Sequence, residues 1–249
     1  MSRKWLGALQ IAAVYVGTVV GAGFATGKEI VEFFTRFGFT GLLGILLSGY
    51  FFIYLGSKLM RTAIRIGAKS YQEFNEHLFG KAIGTIINGL MLVMLLGVCA
   101  VMLSGAGAVF SEQLGLSRHI GIGFTIVLVF IIMLIGIKGL FAVNVVIVPV
   151  MIGFSLMLVI LSAAMPGFID KLFYVPEVED GWKAFAAPFS YTALNLGIAQ
   201  AVLVPVAAAM KDDEMVKWGG IIGGVFLTAI LLCSHFTLMM LEDVELYEI

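Results

Sequence analysis

The residues with chemical potential open the chain. Gly17, Gly21, Gly23 and Gly27 cluster inside an otherwise apolar stretch, within the run Gly21-Ala22-Gly23-Phe24-Ala25-Thr26-Gly27. Glycine readily leaves helical φ/ψ, so this run predicts a break in the helix. Backbone groups released from a helix in lipid must find partners. The end of the first half-helix would present carbonyls suited to a cation. The start of the second would present N–H groups and a positive dipole end suited to a carboxylate. Thr26-Gly-Lys-Glu29 fits a capping box that restarts the helix at Lys28. Other readings stay open. Gly17-x-x-x-Gly21 also suits close helix packing, and Glu29 also suits a plain cap with Lys28 as its ion-pair neighbour.

A second irregularity lies near Asn195, Gly197 and Gln200, followed by Pro205. Amide side chains at mid-depth are costly unless hydrogen-bonded. Asn195 could cap a half-helix restarting near Gly197; the competing reading is one proline-kinked helix. The two irregular segments are five spans apart. A five-span unit and its repeat must be inverted in the membrane, and matched interruptions in such halves point to a transporter site.

The remaining polar residues have plainer readings. Asn88, Ser104, Asn144 and Ser162 suit interhelical hydrogen bonds or a pathway. Gly105-Ala-Gly107, Gly219-Gly220 and Gly223-Gly224 suit close packing. His235 lies deep in an apolar run with no acidic neighbour in sequence. Cys99 and Cys233 lack metal-ligand spacing and read as packing residues. No nucleophile–base pair or metal cluster argues for an enzyme. A retinal protein needs a buried Lys on its last span, and Lys217 lies at an edge.

These residues must be positioned by membrane helices. The 249 residues are 61% hydrophobic and 12% charged, with a mean hydropathy of +1.07. A soluble domain is about 45–50% apolar and about 25% charged. A net charge of -1 and the lack of a basic tract give no footing for nucleic acid. Runs of roughly 20 apolar residues can cross a bilayer, and seven segments qualify. They are Trp5–Phe37, Gly38–Met60, Ala82–Ser111, His119–Ile137, Phe141–Met165, Phe185–Met210 and Trp218–Leu241. The first would be about 50 Å long as one helix, against a core of about 30 Å, so a break suits its length.

With a cytoplasmic N-terminus, ten Lys and Arg fall inside (3, 4, 58, 61, 65, 69, 81, 138, 211, 217) and five outside (28, 36, 118, 171, 183). That orientation is favoured, and seven spans then put the C-terminus outside. The acids Glu177, Glu179, Asp180, Glu242, Asp243, Glu245 and Glu248 collect on the external side. The segment Ser70–Gly80 predicts an interfacial helix. Residues 168–183 form the long external loop, and Trp182, Tyr174 and Trp218 suit the interface belt.

The stretch from Tyr15 to Phe34 resembles the opening of the YkvI-type bacterial membrane proteins, whose pattern is similar to Gly-Ala-Gly-Phe-Ala-Ser-Gly-Gln-Glu followed by Phe-Phe. These resemble the amino acid–polyamine–organocation superfamily. The resemblance implies an all-α LeuT-type bundle with a five-plus-five inverted repeat. It also implies a substrate site between spans 1, 3, 6 and 8, and a Na+ site between spans 1 and 8. It carries over Gly21, Ala22, Gly23, Phe24, Ala25, Thr26 and Glu29. By position on span 6 it carries Asn195, Gly197 and Gln200. Lys28 departs from the neutral residue of the family pattern and speaks against Glu29 as a proton carrier.

The implied organisation is a first five-helix repeat at residues 1–165, then an external loop and helices 6 and 7 of an incomplete second repeat at 166–249. Spans 8 to 10 would follow Ile249, so the expectation is a truncated form, with efficient uptake needing the later spans. The expected function is Na+- or H+-coupled symport of small amino-acid-like or organic cationic solutes in the bacterial plasma membrane. No cofactor is expected beyond Na+, and the partners are the lipid bilayer and the solute. The rival expectation is a non-transporting scaffold or sensor subunit.

Overall fold

The computed structural model describes residues 3–21, 24, 26–176 and 181–241. The chain runs α1 (Arg3–Val19), α2 (Lys28–Phe33), a 3-10 turn (Thr35–Phe37), α3 (Gly38–Ile66) and α4 (Tyr71–Phe79). It continues through α5 (Lys81–Leu114), α6 (Arg118–Ile135), α7 (Ile137–Ala163), α8 (Phe168–Leu172), α9 (Gly181–Met210) and α10 (Asp213–Leu238). No strand occurs among the described residues. Among the described residues six helical segments, against the seven expected, are long and apolar enough to cross a membrane, with Lys28–Ile66 counted as one. At 17 residues, α1 is about 26 Å long, so the first crossing is divided between α1 and α2.

Chain punctuation follows local chemistry. Gly67 (φ 71°) ends α3, and Ala68 N–H bonds back to Ala63 O at 3.0 Å. Gly115 (φ 64°) ends α5 in the same way, with Leu116 N–H on Phe110 O. These are left-handed stops that satisfy the last carbonyls of a helix. The interfacial helix α4 starts at Ser70, whose hydroxyl accepts the Glu73 N–H, while the Glu73 carboxylate accepts the Lys69 N–H at 2.8 Å.

The core is a bundle of α1, α3, α9 and α10. Glycines on α10 make it tight. Gly219 and Gly223 lie against Ile11 and Tyr15 of α1, and Gly220 and Gly224 lie against Ser57 and Ile53 of α3. Successive i, i+4 pairs thus seat two helices on one, as small-residue surfaces allow in membranes. The glycine pairs read as packing surfaces therefore pack. Tyr15 is fully buried at the centre, and its hydroxyl donates to Phe52 O at 3.0 Å.

Helices α5 and α6 pair with each other outside this core, and α7 packs mainly on α1 and α10. Side chains such as Val127, Ile131 and Leu134 are largely exposed, as lipid-facing apolar residues are. Asn144 of α7 sits over Gly17 of α1.

The two ends of the bundle are well separated. At one end Lys4 pairs with Glu214 at 2.7 Å, Arg61 holds Asp213 through two nitrogens, and Trp5 packs on Trp218 at 5.3 Å. At the other, Phe39 N–H bonds Tyr174 O, and Lys171 Nζ reaches Met240 O. The acids expected at 177–180 and 242–249 lie outside the described residues.

Candidate functional site at the helix break

The break exists. The α1 ladder closes with Val20 N–H on Val16 O at 2.9 Å, Val20 and Gly21 lie outside helix, Phe24 is helical, and α2 begins at Lys28. Between them, Gly27 N–H bonds Phe24 O at 3.0 Å, a tight turn that needs the left-handed φ of 77° at Gly27. Phe24 is buried, Gly21 has open space where a Cβ would sit, and Ala22, Gly23 and Ala25 lie outside the described residues.

The restart differs from the expected capping box. The N-cap position is Gly27, one residue past Thr26, and carries no side-chain cap. The reason is tertiary: Gly27 lies against Leu238 of α10, at 3.0 Å from where its Cβ would be. The second half-helix is also only six residues before the chain leaves helix at Phe34 (φ -137°, ψ -57°). So short a helix sums few peptide dipoles, which removes the expected strong N-terminal anion site. The Ser/Thr-x-x-Glu pattern operates instead at Ser70–Glu73.

The second expected break is absent. Helix α9 is continuous from Gly181 to Met210, with Pro188 and Pro205 inside it. Asn195 caps nothing: its Nδ2 donates to Tyr191 O one turn back, at 3.0 Å. An amide that satisfies its own helix costs nothing in lipid and leaves no reason to break. Gly197 and Gln200 are not brought to the α1–α2 interruption. They line an apolar cavity of about 560 Å³ between α3, α4, α5 and α9. There the Gln200 amide and the buried Asn75 amide both meet the Met91 sulfur, at 2.6 and 3.3 Å.

What α9 brings to the break was missed from sequence. Tyr191 and Thr192 are 1% and 2% exposed, and neither hydroxyl has a hydrogen-bond partner. Such orphaned polar atoms are uncommon in folded proteins and ask for a cause. The Tyr191 ring packs against Phe33 and Phe34 of the α2 end at 5.4 and 5.0 Å, and against Phe52. Its hydroxyl feels the charge of Glu29. Glu29 is half-buried, and Lys28 is exposed and forms no ion pair with it. A half-buried carboxylate on α2 and a buried phenol packed on the end of α2 are thus the polar groups of the site.

Two further features flank it. His235 of α10 is 1% exposed and shares a hydrogen bond with Thr35 at 3.1 Å, which ties the 3-10 turn to the bundle. No local signal marks this pair, because 200 residues separate them. Beside the break, Thr26, Ser155, Ser234 and Thr237 contribute hydroxyls to a cavity of about 150 Å³. Among the described residues no group of three His, Cys, Asp or Glu could hold a metal.

Residues 6–248 match the spore permease family, described as "Spore germination protein". The chain belongs to this family. It is a permease-type membrane protein and not an enzyme. It is also 53% identical over 242 residues to the uncharacterized membrane protein YkvI of Bacillus subtilis, covering 97% of this chain and 69% of that one. It is 24% identical over 235 residues to the uncharacterized protein YyaD of the same organism, covering 94% and 67%. The resemblance read from Tyr15 to Phe34 therefore holds along almost the whole chain. No solved structure matches it.

Proposed function

We propose that this permease-family chain is the part of a secondary transporter that holds the solute and rocks around it. The supporting observation is the interrupted first crossing, with a half-buried Glu29 on α2 and, on α9, the unpartnered Tyr191 and Thr192 hydroxyls, the Tyr191 ring packing on the end of α2. An intramembrane carboxylate is costly, and a ligand that meets it together with the orphaned hydroxyls would complete the set. The solute is a small amino-acid-like or organic cationic molecule, and the coupling ion is Na+ or H+. The hydroxyls of the cavity beside the break offer oxygen ligands of the kind a hard cation takes. A LeuT-type bundle in the bacterial plasma membrane, with the Lys- and Arg-rich end cytoplasmic, is the architecture and orientation we assign.

The test is solute uptake into proteoliposomes of this chain, and of YkvI as the longer relative, under imposed Na+ and H+ gradients. Uptake that responds to one gradient and falls at least tenfold in Glu29→Gln supports the reading. Uptake insensitive to both gradients refutes coupling.

The continuity of α9 favours a second reading, a non-transporting scaffold or sensor subunit, because paired breaks are what alternating access usually turns on. A stoichiometric membrane partner together with no solute-induced thermal shift would select it.

A further inference from the structure

Above the break, α2 and α9 diverge to enclose a cavity of about 300 Å³ at the end of the bundle opposite the Lys4–Glu214 pair. Its walls include Glu32, Phe33 and Arg36 from the first crossing, and Trp182, Lys183 and Ser190 from α9. Glu32 lies one helical turn from Glu29, and the two carboxylates feel each other's charge. Opposite charges share this cavity without neutralising one another: Glu32 and Arg36 are both exposed and form no ion pair together. The cause is local. Four residues apart on a regular helix they would pair, but α2 ends at Phe33 and the 3-10 turn re-aims Arg36. The Arg36 guanidinium lies 5.3 Å from the Phe37 ring, which holds it on one side of the mouth.

We propose that this α2–α9 cavity is an outer binding station for a small amphoteric solute, whose ammonium group pairs with Glu32 and whose carboxylate pairs with Arg36. Bidentate guanidinium–carboxylate geometry gives the carboxylate end its selectivity. Phe33 and the largely exposed Trp182 supply the apolar wall, and an ammonium group is also attracted to an aromatic face. From this station the ammonium group has a second carboxylate one turn along α2, at Glu29. The inference deepens the transport reading and rests on it for the onward step, but binding at the station does not need transport.

The chain has three tryptophans, so Trp5→Phe with Trp218→Phe leaves Trp182 as the sole reporter. In nanodiscs, L-alanine, L-leucine and L-phenylalanine are titrated against Trp182 fluorescence, each beside its N-acetyl derivative and its methyl ester. The expected result is saturable quenching by at least one free amino acid. Both blocked forms should bind at least tenfold more weakly. Glu32→Gln should lose the penalty for N-acetylation, and Arg36→Gln the penalty for esterification. Glu32→Asp should restore the first, which guards against a merely misfolded variant. No quenching by any of the three, or blocked forms that bind equally, overturns the station. Uptake that is gradient-driven yet unchanged in Glu32→Gln and Arg36→Gln also overturns it, and leaves the transport reading standing. Selective binding with no uptake does the reverse.

Discussion

The α3–α10 contact offers the most quantitative handle on the bundle. A Cβ added at Gly224 would lie 2.7 Å from both the Cα and the backbone N of Ile53, whereas ordinary contact begins at 3.4 Å. Backbone cannot rotate away as a side chain can, so the helices must separate by about 0.7 Å. Overpacking of this kind costs about 1–3 kcal/mol. The separation also loosens Gly220 against Ser57, because both glycines seat the same helix. Gly197→Ala is the matched control. It lies within α9 with nothing inside 4 Å of its Cβ, so it gains only the helix preference of Ala over Gly, up to about 1 kcal/mol. The two variants should move in opposite directions in reversible unfolding in mixed micelles. Gly224→Ala should be less stable than the parent, and Gly197→Ala equal or more stable. If Gly224→Ala unfolds at or above the parent's midpoint, the close backbone approach is wrong. If Gly197→Ala is the damaging one, α9 is not a continuous helix there.

Tyr191→Phe should leave folding unchanged or improved, since it deletes a buried hydroxyl with no partner. It should weaken solute binding, and a thermal melt beside a binding titration separates the two effects. Asn195→Ala should cost less than about 1 kcal/mol and leave binding intact, because the amide serves only its own helix. Arg61→Gln should lower stability by about 0.2–1 kcal/mol, an effect that fades as salt rises, since the Asp213 pair is partly exposed. A melt series in NaCl measures it. In a chain without Cys99 and Cys233, Tyr174→Cys should react with a membrane-impermeant maleimide in intact cells, and Lys69→Cys only after the cells are permeabilised. Labelling of both from one side would refute the topology.

Much of the architecture was legible in the residues. Apolar runs located the crossings, because lipid requires each crossing to satisfy its own backbone; of the seven segments read, the division at Trp5–Phe37 and Gly38–Met60 came out differently, with Lys28–Ile66 as one of six spanning-length segments among the described residues. The glycine cluster at 17–27 located the interruption, since a 33-residue apolar segment exceeds the bilayer and glycine is the residue that leaves a helix most cheaply. The glycine pairs of α10 announced a packing surface, though not which helices would use it. Only the fold showed that Gly219 and Gly223 take α1 while Gly220 and Gly224 take α3.

Tertiary contacts decided the rest. Thr26-x-x-Glu29 and Ser70-x-x-Glu73 read alike in sequence. At the first, helix starts at Lys28 as read, but Gly27, packed against Leu238, takes the cap position and no side chain caps it, while the Ser70 hydroxyl does cap its helix. Asn195 read as a cap because an amide in lipid needs a partner, and sequence could not reveal that Tyr191 O, one turn back, already accepts it. Glu29 with Tyr191, and Thr35 with His235, are separated by 162 and 200 residues. Sequence determined which residues must avoid lipid; which of them meet depends on how the helices cross, and that is set by packing summed over the whole bundle.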